Sequence, residues 1–109
     1  MVPEVVARSL ADFTRYARDR FGPRLEKMVL FGSHARGEGD LPESDVDVLL
    51  VVRELSPIEL REIVAEAARI SADRGIQVAP LALSGARYQE MRRDDLLLYR
   101  ELERDGVAV

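Results

Sequence analysis

The sequence predicts an α/β (α+β) fold, a small mixed sheet packed by helices. Three observations carry that reading. Helical periodicity alternates with short, unbroken apolar runs; one of those runs is apolar on both faces; and the helix that follows it carries complete start and stop signals. The 109 residues match one domain over residues 1–109, long enough to bury a real core. With 47% hydrophobic and only 6% aromatic residues, that core should be aliphatic.

The elements follow in order. Val6, Leu10, Phe13, Ala17 and Phe21 recur at three- and four-residue steps, so a helix is expected from Pro3 to Phe21, ended by Gly22-Pro23. Lys27 to Phe31 reads as a buried strand. Gly32 to Gly37 reads as a turn, with one helical turn in Ser33-His34-Ala35-Arg36, and Glu38 to Ser44 reads as a loop. Val46 to Val52 is β-branched and apolar on both sides, as a covered central strand would be.

Ser56, Pro57 and Glu59 compose a capping box at the start of a second long helix, and Gly75 closes it. Leu60, Ile63, Val64, Ala67 and Ile70 or Ser71 are its expected buried stripe. Ile76 to Leu83 reads as a third strand, placed at an edge or a bulge because Pro80 lacks a ladder donor. Ser84 can cap a short helix through Met91, and Asp94 or Asp95 another through Arg104, which Gly106 ends. Val107 to Val109 is a tail that could pair or fray.

Composition excludes several chemistries. The chain has no cysteine, which removes disulfides, thiolate metal sites and a cysteine nucleophile. A net charge of −4 argues against direct nucleic-acid binding. No apolar run approaches the roughly 18 residues of a membrane span, and no signal peptide is visible. The expectation is a cytoplasmic protein.

The chemistry concentrates in two places. Gly32-Ser33 follows a buried strand, where glycine allows a sharp turn and a close approach, and serine offers a hydroxyl to a phosphate; a plain turn would look the same. Asp45 and Asp47 stand two apart at the head of a core strand, so both carboxylates project to one side. Such oxygen ligands suit magnesium or manganese, although a solvated acidic pair has the same spelling. Arg36 could reach a phosphate or merely solubilise the turn. His34 reads as a surface turn residue, and Tyr16, Tyr88 and Tyr99 as half-buried packing residues.

Taken together, Gly32-Ser33-His34-Ala35-Arg36-Gly37 and Ser44-Asp45-Val46-Asp47-Val48 resemble the signature of the minimal nucleotidyltransferases, in the DNA polymerase beta-like superfamily. The resemblance implies the polymerase beta-like nucleotidyltransferase core. Gly32, Ser33 and Arg36 would then bind a nucleoside triphosphate, with ATP the expected one, and Asp45 and Asp47 would be the catalytic metal ligands for Mg2+ or Mn2+. The implied reaction is attack of a hydroxyl on the α-phosphate, with release of pyrophosphate. Many minimal members resemble antitoxins that pair with, and can adenylylate, a small helical HEPN-domain protein, so a homo- or hetero-oligomer is expected. Two departures stand out. Eleven residues separate Ser33 from Asp45, one more than members commonly have. A third carboxylate, usual on the next strand, is replaced by Gln77 or Ala79.

Overall fold

In the computed structural model, residues 3–37 and 45–109 are described; the loop expected over Glu38 to Ser44 lies outside them. Their strands form one sheet because β2 (Val46–Val52) has apolar side chains to bury on both faces. It pairs antiparallel with β1 (Leu25–Phe31) and parallel with β3 (Val78–Ser84), and a two-residue β4 (Val107–Ala108) adds to the far side of β1. The order is β3-β2-β1-β4, so β2 is interior and β3, with Pro80, is an edge strand as its missing donor requires. The C-terminal tail pairs rather than frays.

Alternation along β2 divides the core. Val46, Val48, Leu50 and Val52 pack with Phe13 and Ala17 of α1 (Glu4–Phe21) and with Ile63, Ala67 and Ile70 of α2 (Pro57–Arg74). Leu49 and Val51 face the other way, against Tyr88 and Met91 of α3 (Gly85–Arg93) and Leu102 of α4 (Leu97–Asp105). Asp47 shares the parity of Leu49 and Val51, which puts it at the end of the α3/α4 face. No described helix is long and apolar enough to cross a membrane.

The capping box of α2 forms as expected. Glu59 N donates to Ser56 Oγ at 3.1 Å, Ser56 N donates to Glu59 Oε1 at 3.0 Å, and Gly75 takes a left-handed φ of 72°. The face of α2 differs from the expectation. Glu59, Ile63, Ala67 and Ile70 are buried, while Leu60 is 39% and Val64 52% exposed. The physical reason is Arg24, whose guanidinium grips both carboxylate oxygens of Glu59, at 2.7 and 2.8 Å. A helix held to the body through Glu59 turns its 60–64 side outward.

The start of α4 also differs. Leu96, not Asp94 or Asp95, is the N-cap residue, with no side-chain cap. Asp95 adopts a φ of 51°, one residue too early, and its carboxylate accepts from Arg100 in the helix's first turn. Ser84 does cap α3, accepting from Arg87 N at 3.1 Å. Tyr88 is buried and meets Tyr99 edge to face, and Tyr16 lies between Phe13 and Phe21, so the tyrosines pack as expected.

Candidate functional site

The site is built where β1 ends and β2 begins. Antiparallel pairing sets Phe31 opposite Asp47, so the residue after Phe31 must pass beside that carboxylate. That residue is Gly32, with a φ of 75°. A Cβ there would collide with Asp47 Oδ2. Glycine is thus required twice, for the left-handed backbone and for the room the carboxylate occupies.

From Gly32 the chain makes a single tight turn. Arg36 N donates to the Gly32 carbonyl and Gly37 N to the His34 carbonyl, each at 3.3 Å. Ser33 is half-buried and Arg36 is exposed at the rim. His34 corrects the surface expectation: it is only 3% exposed. In one helical turn successive side chains point about 100° apart, so at least one faces inward; the bare sequence does not say which.

Asp45 is exposed just ahead of β2, whose first amide, Val46 N, donates to the Gln77 carbonyl at 2.8 Å. Asp47 is half-buried, and its carboxyl pKa is raised first by that burial and then by the negative charge of Asp45. His34 and Arg36 pull the other way, in that order. Gly32, Ser33, Arg36, Asp45 and Asp47 therefore come together. A divalent cation between the two carboxylates would offset both causes of the raised pKa, and oxygen donors of this kind fit magnesium or manganese, which keep waters and take substrate phosphate oxygens.

The third strand decides between Gln77 and Ala79. Ala79 is the partner of Asp47 across the parallel β2/β3 ladder, on the same face, and supplies only a methyl group. Gln77 precedes the strand and directs its amide to the Val78 carbonyl at 3.4 Å. Asp73, on α2, and Asp95, in the turn before α4, are engaged by Arg69 and Arg100. Among the described residues no cluster of three or more metal-ligating side chains exists.

One neighbour escapes sequence reasoning altogether. Asp105, at the end of α4, is held below its usual pKa by Arg104, whose Nη2 and Nε reach Asp105 Oδ2 at 2.9 and 3.0 Å, and also by the charge of Arg36.

The chain is similar to several known proteins. The nucleotidyltransferase domain family matches residues 10–105. A proposed protein adenylyltransferase of Methanocaldococcus jannaschii is 35% identical over 79 residues, 72% of this chain and 75% of that protein. A second such protein of the same archaeon is 36% identical over 44 residues, 40% of this chain and 43% of that one. Among solved structures, a mutant of the MntA–HpeT toxin–antitoxin pair superposes with a TM-score of 0.61 at 20% identity, covering 92% of this chain and 70% of that one. A toxin–antitoxin structure with AMP-PNP gives 0.57 at 18% identity, covering 88% and 68%.

Proposed function

This chain belongs to the nucleotidyltransferase domain family, and from that premise we propose that it transfers AMP from ATP to a hydroxyl of a partner protein, as the antitoxin of a toxin–antitoxin pair. The observation that carries the proposal is the fit of Gly32 against Asp47. A bare backbone and a half-buried carboxylate side by side suit a phosphate and its counter-ion, and a packing role alone would need neither. The adenylyltransferase relative supports the reaction class, and the toxin–antitoxin neighbours support the context. The partner in this reading is a small helical protein of the HEPN type.

The residues divide the work as follows. Gly32 gives the sharp turn that sets Ser33 beside Asp47, Ser33 donates its hydroxyl to a phosphate oxygen, and Arg36 contributes positive charge at the rim. Asp45 and Asp47 would hold Mg2+, which when bound supplies charge neutralisation at the phosphate oxygens. The acceptor oxygen forms a bond to the α-phosphorus, the bond to the β-phosphate breaks, and pyrophosphate leaves. Ala79 cannot take the hydroxyl proton, which passes to water or to a group of the partner.

That same methyl group favours a second reading, neutralisation of the toxin by binding alone. The test incubates the chain with Mg2+, ATP labelled at the α-phosphate and its helical partner. Wild type is expected to transfer label, and an Asp45→Asn/Asp47→Asn variant to lose it by roughly 100- to 1000-fold, the usual cost of removing charge stabilisation. Neutralisation that survives the double substitution would establish the second reading instead.

A further inference from the structure

We infer that the outward face of α2 pairs antiparallel with the same face of a second copy of this chain, making a homodimer. The inference is independent of the functional reading, because α2 covers the sheet face opposite the one that ends in Asp47, and pairing leaves the motif open. On the outward face Ile58 is 63% exposed, and Leu60 and Val64 stand out beside it. Ala65, Ala68 and Ala72 continue the exposed surface toward the C-terminal end of the helix. At about 100° per residue these positions share one side, with Arg61 in their midst.

The two ends of this face differ in shape. The N-terminal half projects large side chains. The C-terminal half carries a shallow hollow of about 430 Å3 lined by Ala68, Ser71, Ala72, Gly75, Ile76 and Gln77. A two-fold axis at the level of Ala67 matches them. It brings Ile58 of each copy to the level of Ile76 in the other, over the hollow, and Val64 to the step between Ala68 and Ala72. The same axis brings Arg61 to Asp73. Among the described residues Arg61 has no ion pair, and Asp73, with its side chain 64% exposed, gives Arg69 only Oδ2, at 2.9 Å. One register therefore sets bulk against hollow and cation against anion, each twice over. An unrelated partner would need only apolar surface; spacings balanced about a single level are the mark of a face that meets itself. The helix has 18 residues, about 27 Å at its usual rise. A contact of that length lies at the low end of specific interfaces, so the dissociation constant is expected at about 10–100 µM.

Sedimentation of the chain alone, over about 5 to 500 µM, tests the pairing across that range. Wild type is expected to pass from monomer to dimer, and Ile58→Asp to weaken pairing by at least about tenfold. Arg61→Asp and Asp73→Arg should each weaken it as well, since each sets like charges together twice. An equimolar mixture of these two variants should pair again, because every contact in the mixed dimer then joins opposite charges. Urea unfolding at about 1 µM, where the copies are apart, checks that each variant folds. Wild type that stays monomeric throughout overturns the inference, even where a helical partner protein proves to cover α2. A dimer indifferent to the three substitutions overturns it too, as does a mixture that fails to pair.

Discussion

Two carboxylates at opposite ends of β2 have opposite surroundings. Past the strand's C-terminal end, Glu59 receives both arms of Arg24 and the amide of Ser56, and its pKa falls from 4.5 to about 2. Arg24 also donates to the Arg53 and Glu54 carbonyls, so one guanidinium ties the turn before β1 to the β2–α2 connection. At the other end Asp47 is half-buried beside Asp45, and its pKa is raised. The first carboxylate is satisfied by its own chain and holds the fold. The second is left with the repulsion of Asp45, which the proposed cation would relieve.

The largest expected effect would come from neutralising the strained end. Asp47→Asn should abolish labelled-AMP transfer while raising the melting temperature in metal-free buffer, by about 1–3 °C. The sign follows from the raised pKa: Asp47 favours the folded state below the unfolded pKa, and that contribution is lost as pH rises through the folded value. Mg2+ should stabilise wild type and leave the variant unmoved, as thermal melts with and without chelator would record. A variant that melts lower than wild type would mean that Asp47 is structural, and the contrast between the two ends would collapse.

Gly32→Ala comes next. It places a Cβ on Asp47 and forces a side chain into a left-handed backbone, which should cost about 2 kcal/mol in urea unfolding and remove nucleotide binding. At the satisfied end, Glu59→Gln should lower stability at neutral pH without altering transfer. Because the folded pKa is depressed, the contribution of Glu59 is present above about 4.5 and lost as pH falls toward about 2. Acid unfolding of the variant should therefore be less steep across that window. The smallest effect belongs to Val64→Ser, on the outward side of α2, which should change stability by less than about 0.5 kcal/mol. A loss typical of a core valine would show that α2 is turned as periodicity alone suggested.

The elements with the strongest local chemistry were legible from the chain. Val46–Val52, the Ser56/Glu59 box and the Gly75 stop appear where their residue types require, because each depends on neighbours only a few positions away. Gly32 stands beside Asp47 because Phe31, the residue before it, pairs with Asp47 across the two strands. Where the outcome depended on distant partners, local pattern misled. Leu60 and Val64 are outside because Arg24 grips Glu59, and His34 is inside because of the way one turn lies on the core.

By itself, then, the sequence determined the order of elements and the interior strand, and narrowed Pro80 to an edge or a bulge, all consequences of short-range periodicity, capping and backbone freedom. Only the tertiary structure decided which face of α2 is buried and that Ala79 stands across from Asp47. Those are matters of register between strands and of charges brought together from far apart in the chain, and register is settled by the packing of the whole sheet.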